Sequence, residues 1–104
     1  MAYRIVITPK AQREIKSLPR AIQDRIRPAI RALRDNPYPP GMQKLKVIED
    51  HYRIRVGDYR VVYAVEGEHV LVIVVTVGHR KDVYEKLSKK YDPEYLQSVL
   101  KGEK

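Results

Sequence analysis

The sequence predicts an α+β fold in which helices pack on one face of a small, mainly antiparallel sheet. Apolar residues recur at helical spacing between residues 9 and 36. Between residues 51 and 77, β-branched residues and tyrosines form three strand-like segments that are separated by short turns containing glycine. A further short segment rich in β-formers precedes the helices. The predicted order is therefore β-α-α-β-β-β-α, with a four-stranded sheet.

The first half of the chain is predicted to form one strand and two helices. Residues 3–7 are rich in β-formers and are interpreted as a strand. Thr8 is expected to cap a helix whose first position is Pro9, since proline lacks only a donor that would be unpaired there. Pro19 separates this helix from a second one, which is predicted over residues 20–36.

The second half supplies the remaining strands and the C-terminal helices. Residues 44–46 are predicted to be a short extended or turn segment, and strands are expected at 51–56, 59–65 and 70–77, after which Gly78 ends the sheet. The third of these strands is almost wholly apolar, which is typical of a strand buried on both faces. Helices are predicted at 83–90 and in an extension at 92–104. Residues 1–104 are interpreted as a single domain.

The composition indicates an anionic partner and excludes several classes of site. The net charge is +8, from 21 Lys and Arg against 13 Asp and Glu, which suits RNA, DNA or an acidic protein, although solubility alone would also explain it. The chain has no Cys, which excludes a disulfide scaffold, a thiol nucleophile and a cysteine metal site. The longest apolar run is too short to span a bilayer, so we expect a cytoplasmic protein without a membrane partner.

No cofactor and no metal are predicted. The sequence has no glycine-rich phosphate loop, no paired-histidine spacing and no nucleophile elbow. Its three histidines, His51, His69 and His79, lie on separate predicted elements. A metal site built from these histidines is therefore not expected.

Arginines are predicted to crowd one face of the sheet. Arg53 and Arg55 are two residues apart on one strand, so both side chains leave the same face. A tight turn at residues 57–58 brings Arg60, on the next strand, close to them. Crowded guanidinium groups repel one another unless an anion is bound, and a phosphate accepts two hydrogen bonds from one guanidinium. This pattern favours a phosphate-binding site, although arginines on a strand are also common as a solvated edge.

The exit from the most apolar strand adds further basic residues. His79, Arg80 and Lys81 follow Gly78 directly, and loops at strand ends commonly carry functional residues. Tyr84 follows Arg80 by four residues, one helical turn if a helix has begun. Tyr84 is either part of the site or an ordinary core aromatic. Because three separate segments converge, we favour a phosphate-binding cluster with a histidine and a tyrosine beside it.

These segments resemble the RelE/ParE toxin superfamily, and the RelE branch in particular. The matching residues are 44–46, 52–63 and 77–84, within a similarity that runs from about residue 2 to residue 90 and does not include the tail at 92–104. The resemblance implies a RelE-like fold and a type II toxin that cleaves mRNA in the ribosomal A site. It implies that the 2′-OH of the RNA is the nucleophile, that no metal is needed, and that the products are a 2′,3′-cyclic phosphate and a 5′-OH end. It also implies a cognate antitoxin whose helices wrap around the toxin in a hetero-oligomer.

The resemblance implies that the partners are mRNA and the ribosome with its rRNA. It also implies roles for individual residues of this chain. Arg60 matches the phosphate-binding arginine, Arg80 matches the arginine that stabilises the transition state or protonates the leaving group, and Tyr84 matches the tyrosine that stacks on or orients the nucleotide. Lys46 matches a residue that contacts RNA, with Lys44 and Lys81 as further RNA-binding candidates. Arg53 and Arg55 stand where relatives have lysines, and His79 stands at another basic position.

The two arginines that replace lysines leave the general base open. A lysine can lose its proton in a crowded cationic site, whereas an arginine cannot. Arg53 and Arg55, like Arg60, are therefore expected to neutralise charge rather than to move a proton. His79 and Tyr84 remain as alternative candidates for proton transfer.

Two other functions are compatible with the sequence. The ParE branch shares the fold but inhibits DNA gyrase without being an enzyme, and a non-catalytic basic nucleic-acid-binding domain would bind RNA without cutting it. The apolar faces of the predicted C-terminal helices either form a groove for an antitoxin helix or close the core of the protein.

Overall fold

The computed structural model describes residues 2–45 and 50–79, which form one sheet and two helices. The elements are β1 (Arg4–Ile7), α1 (Pro9–Lys16), α2 (Arg20–Ala32), β2 (Gln43–Lys44), β3 (His51–Val56), β4 (Tyr59–Glu66) and β5 (Leu71–His79). The strand order is β1-β5-β4-β3-β2, in which only the β1–β5 pairing is parallel. The predicted α+β class with a mainly antiparallel sheet is confirmed. The helices predicted at 83–90 and 92–104 lie outside the described residues.

The helices begin where the sequence predicts. The Thr8 side chain accepts a hydrogen bond from the Ala11 backbone N–H at 3.1 Å, and Pro9 occupies the first turn. Pro19 lies between the two helices and is the N-cap of α2. Within the described part of the chain, neither helix has the length and apolar composition needed to cross a membrane.

The described sheet has five strands rather than the predicted four. Gln43 and Lys44 form the additional strand, pairing with Arg53 and Tyr52 at the outer edge of β3. This two-residue strand is exposed and has no alternating apolar pattern, which is the signal by which a strand is predicted.

Two element ends also differ from prediction. Helix α2 ends at Ala32 instead of continuing to Asn36, because the next N–H groups bond to carbonyls three residues back and the chain then meets Pro37. Gly78 does not end the sheet. It pairs with Arg60, and β5 continues to His79 because β4 begins at Tyr59, which is the partner of His79.

The two described helices, α1 and α2, pack on one face of the sheet, and the arginines lie on the other. The helix-covered core contains Ala11, Ile15, Ile26, Ile30 and Leu33 from the helical half, together with Ile54, Val56, Val61, Tyr63, Val65, Val72, Val74 and Val77 from the sheet. Side chains alternate along a strand. The residues between these core positions, including Arg53 and Arg60, therefore point to the opposite face.

Strand β5 is buried along almost its whole length. All residues from Leu71 to Gly78 are buried, and only His79 is exposed. On the face away from the helices, Leu71 and Ile73 form a second buried cluster with Ala64. The prediction of an interior strand buried on both faces is confirmed for β5.

The turn between β3 and β4 depends on a glycine. Gly57 has a φ of +63°, and a Cβ built on it would lie 3.2 Å from Arg25 Nη1. We expect Gly57→Ala to lower the free energy of unfolding by about 1–2 kcal/mol, because an L-residue is strained at positive φ. Urea denaturation measures this loss. Gly67→Ala is the matched control, since Gly67 is also a turn glycine but has open space around it, and an equal loss in both variants would contradict the prediction.

Candidate active site

Three arginines share the face of the sheet opposite the one on which α1 and α2 pack. Arg55 pairs directly with Arg60 across the β3–β4 ladder, and Arg53 pairs with Val62. Directly opposed side chains have Cβ atoms about 4.5–5.5 Å apart. The sequence prediction that Arg53, Arg55 and Arg60 come together on one face is therefore met in the structure, and we call this surface the arginine face.

The charge of the arginine face is not balanced within the described residues. Arg53 Nη1, Arg60 Nε and Arg60 Nη1 are buried and have no hydrogen-bond partner there. Arg53 Nη2 donates to Gln43 Oε1 at 2.6 Å. A buried donor that has lost water without gaining a partner costs about 1–3 kcal/mol. Because these unpaired donors belong to neighbouring positively charged side chains, an anion is the favoured partner.

Gly78 lies directly opposite Arg60 on the other side of β4. A glycine contributes no side chain to that pair. The pairing therefore places the Arg55 side chain on one side of Arg60 and no side chain on the other.

Two predicted site residues lie on the other face. His79 pairs with Tyr59, and the two rings meet edge to face with centroids 5.2 Å apart. Lys44 pairs with Tyr52, which packs against the helix-covered core. Directly paired residues share a face. The structure therefore places the His79 and Lys44 side chains on the helix-covered side, away from the arginine face.

The remaining predicted site residues cannot be placed in this geometry. Lys46, Arg80, Lys81 and Tyr84 lie outside the described residues.

The structure also identifies polar residues near the site that the sequence reasoning missed. Gln43 accepts a hydrogen bond from Arg53. Glu14, on α1, accepts hydrogen bonds from Thr76 Oγ1 at 2.8 Å and from the Val77 backbone N–H at 2.9 Å. Thr76 was the available signal, because a hydroxyl inside an otherwise apolar strand must find a partner when it is buried.

One group of potential metal ligands occurs among the described residues, far from the arginine face. Ligand atoms of Glu66, Glu68 and His69 lie within 4.8 Å of one another in the β4–β5 turn. The hydrogen bonds that Glu66 accepts from the His69 side chain and backbone lower the pKa of Glu66. Arg60 is six residues along β4 from Glu66, about 20 Å in an extended strand. These contacts stabilise the turn and take no part in the arginine face.

The sequence matches a family of known toxins. The model of the ParE toxin family of type II toxin–antitoxin systems matches residues 5–84. A RelE-like toxin protein of Escherichia coli is 36% identical over 88 residues, which cover 81% of this chain and 92% of that protein.

Solved structures give the same assignment. The archaeal RelE–RelB complex from Pyrococcus horikoshii contains a chain with a TM-score of 0.69 and 30% identity, covering 78% of this chain and 98% of that one. A double arginine-to-alanine mutant of Escherichia coli toxin RelE in the free state gives a TM-score of 0.73 at 27% identity, covering 88% of this chain and 100% of that one. The chain therefore belongs to the RelE/ParE superfamily and is a RelE-like toxin of a type II toxin–antitoxin system.

Proposed function

We propose that this toxin inhibits translation as an endoribonuclease that cuts mRNA in the ribosomal A site. The observation that carries the proposal is the arginine face, where buried guanidinium nitrogens of Arg53 and Arg60 have no partner among the described residues. A scissile phosphate supplies the oxygens that these donors lack. The RelE-type relatives and the net charge of +8 support the same function.

The proposed chemistry is attack of the RNA's own 2′-OH on the adjacent phosphorus. The 2′-OH loses its proton as the new P–O bond closes a 2′,3′-cyclic phosphate and the bond to the 5′-oxygen breaks. The 5′-oxygen takes up a proton and leaves as a 5′-OH, so the step neither gains nor loses a proton overall. Negative charge builds up on the phosphoryl oxygens along this path. Arg60 holds the phosphate, and Arg53 and Arg55 stabilise the charge from the same face. Arg80 is proposed to stabilise the transition state.

We assign proton transfer to Tyr84 rather than to His79, because the His79 ring lies against Tyr59 on the helix-covered side. Tyr84→Phe is expected to lower kcat by about 100-fold or more, the usual effect of removing a general acid or base. His79→Ala is expected to retain cleavage within about threefold by the same reasoning. Single-turnover cleavage of mRNA on programmed ribosomes measures both. A large loss in His79→Ala with normal activity in Tyr84→Phe would reverse the assignment.

We propose an antitoxin as the physiological partner. The solved relative from Pyrococcus horikoshii is a RelE–RelB complex. In this chain, an anionic or helical segment of an antitoxin that reaches the arginine face would neutralise the same guanidinium groups that bind RNA. The toxin is thus proposed to form a hetero-oligomer that cannot cut RNA.

The proposed function is tested with purified toxin and ribosomes that carry a defined mRNA in the A site. Cleavage is expected only on the ribosome, with 2′,3′-cyclic phosphate and 5′-OH ends. An mRNA with a single 2′-deoxy sugar at the cut site is the control, and it should bind but remain intact. Cutting of the deoxy substrate would contradict attack by the 2′-OH. Salt-sensitive binding without any cutting would indicate a non-catalytic RNA-binding domain.

Inhibition of DNA gyrase is the second candidate, because the matching family model is that of ParE toxins. A supercoiling assay with purified gyrase separates the two functions. Inhibition of supercoiling together with intact mRNA on ribosomes would favour the ParE-type activity.

A further inference from the structure

Strand β5 extends beyond its parallel neighbour, which leaves one of its edges without a strand partner. The β1–β5 ladder ends at the pair of Ile7 and Val74, whereas β5 continues to His79. The start of α1 takes over at this point. The Thr8 N–H donates to the Val74 carbonyl at 3.0 Å, and the Thr8 hydroxyl donates to the Val75 carbonyl at 3.2 Å.

Further along the same edge of β5, the Glu14 side chain takes the place of a neighbouring strand as a hydrogen-bond partner. Its Oε1 accepts from the Val77 N–H at 2.9 Å, as the carbonyl of a neighbouring strand would, and from Thr76 Oγ1 at 2.8 Å. Its Oε2 lies 3.5 Å from Lys10 Nζ. The Glu14 side chain is only 16% exposed. A largely buried carboxylate that accepts from a backbone N–H makes a stronger bond than a neutral acceptor does.

The segment of β5 that Glu14 binds lies beside Arg60 in the sheet. Val77, whose N–H is bonded to Glu14, is adjacent to Gly78, the direct partner of Arg60. An irregularity precedes it: Val62 pairs with Thr76 but Tyr63 pairs with Val74, so Val75 is an extra residue on β5. A bulge locally disrupts the ladder and bends the strand. The stretch between the bulge and the strand end is therefore held by β4 on one edge and by Glu14 on the other.

We propose that Glu14 is a positioning residue for the cleavage reaction, whose carboxylate fixes Val77 and Gly78 against Arg60 and so fixes the end of β5, which precedes Arg80 in the sequence. This inference rests on the proposed function. Glu14 lies on α1 at the edge of the sheet, so it acts through the backbone of β5 and not on the RNA. Its loss is expected to misplace transition-state contacts while leaving the arginines that bind RNA in place.

The test compares Glu14→Ala and Glu14→Gln with the wild-type toxin in cleavage of mRNA on programmed ribosomes. Glu14→Ala is expected to lower kcat by about 10- to 100-fold, the equivalent of one lost hydrogen bond to a charged group, with KM within about twofold. Glu14→Gln keeps an acceptor for the Val77 N–H and should recover much of the loss. Glu66→Gln is the matched control, because Glu66 also accepts from a backbone N–H but in the distant β4–β5 turn.

A spectroscopic readout separates positioning from a general loss of stability. In NMR spectra, Glu14→Ala should shift the Val77 amide proton upfield and speed its exchange, while the amide of Val72, on the part of β5 that pairs with β1, stays unchanged. Thr76→Val provides a second variant of nearly the same shape if Glu14→Ala does not fold. It removes the bond that Thr76 donates to Glu14 and the bond that it accepts from Lys10 Nζ, and it should lower kcat by a few fold.

The outcomes distinguish the two proposals. A wild-type toxin that does not cut mRNA on ribosomes overturns the proposed function and the positioning role with it. A wild-type toxin that cuts, together with a folded Glu14→Ala or Thr76→Val variant of unchanged kcat, overturns the positioning role alone. An equal loss of kcat in Glu66→Gln, or a loss that matches only the unfolded fraction, also overturns it.

Discussion

Arg60→Met is expected to lower cleavage by about 100- to 1000-fold, the range found when one preorganised transition-state donor is removed, and at the same time to stabilise the fold. Arg60 Nε and Nη1 are buried without a partner among the described residues, and Arg55 lies directly opposite. Removing unpaired donors and a like-charge pair should raise the free energy of unfolding by about 1 kcal/mol, or the Tm by about 4–8 °C. Ribosome cleavage assays and thermal denaturation measure the two effects.

Two further variants make this result specific to the arginine face. Arg60→Lys retains the charge but not the two-pronged guanidinium, so it should recover only part of the activity. Arg4→Met removes an exposed arginine from β1, and neither activity nor Tm should change much. A stabilised Arg60→Met variant with normal cleavage would remove Arg60 from the proposed mechanism. A joint loss of activity and stability would mean that Arg60 supports the fold.

The largest expected effect on stability comes from Tyr63. Tyr63→Ala should lower the free energy of unfolding by about 3–5 kcal/mol, the usual cost of truncating a buried aromatic residue. Tyr63 is fully buried, its ring centroid lies 5.9 Å from that of Tyr52, and its hydroxyl donates to the Pro37 carbonyl at 2.7 Å. Tyr63→Phe isolates the hydroxyl and should cost about 1–2 kcal/mol, because the Pro37 carbonyl loses its donor. Urea denaturation measures both, and equal losses in the two variants would contradict this division.

Tyr63 also predicts how stability depends on pH. Burial raises the pKa of Tyr63 above its ordinary value, so the folded protein holds this proton more tightly than the unfolded chain. The stabilising contribution is complete below about pH 10, where a tyrosine in the unfolded chain titrates, and is lost as the pH rises further. Tyr63→Phe should therefore lose less stability between pH 9 and pH 11. Parallel curves for the two proteins would argue against a buried hydroxyl.

The alternation of residues predicted much of the fold and part of the site. The period of two between Tyr52 and Val56, followed by a two-residue turn, was sufficient to place Arg53, Arg55 and Arg60 on one face, and the structure agrees. The sequence predicted an extended or turn segment at residues 44–46 but not that Gln43 and Lys44 pair with β3, because both are polar and pair only by lying beside a strand edge. Pairing of this kind depends on tertiary position and not on local pattern.

The face on which His79 lies could not be predicted because it depends on the bulge. With strict alternation from Val72 and Val74, which pack in the helix-covered core, His79 would point to the arginine face. The extra residue at Val75 reverses the alternation, so that His79 lies on the same face as its partner Tyr59 and Gly78 lies at the position paired with Arg60. Nothing in a run of valines and isoleucines marks which residue is extra. The Glu14 contact was not predicted because its partners are distant in the sequence. Glu14 precedes Thr76 by 62 positions and Val77 by 63.

The bulge also determines which kinds of sequence change β5 can accept. Exchanging one aliphatic residue for another at Val75 alters packing but leaves every later side chain on its present face. Deleting that residue would move every later side chain of β5 to the opposite face, so that His79 would point towards the arginines and Gly78 would no longer pair with Arg60. The number of residues between Val74 and Gly78 is thus under a tighter constraint than their identity. We therefore expect variation in this strand within the family to take the form of substitutions and not of insertions or deletions.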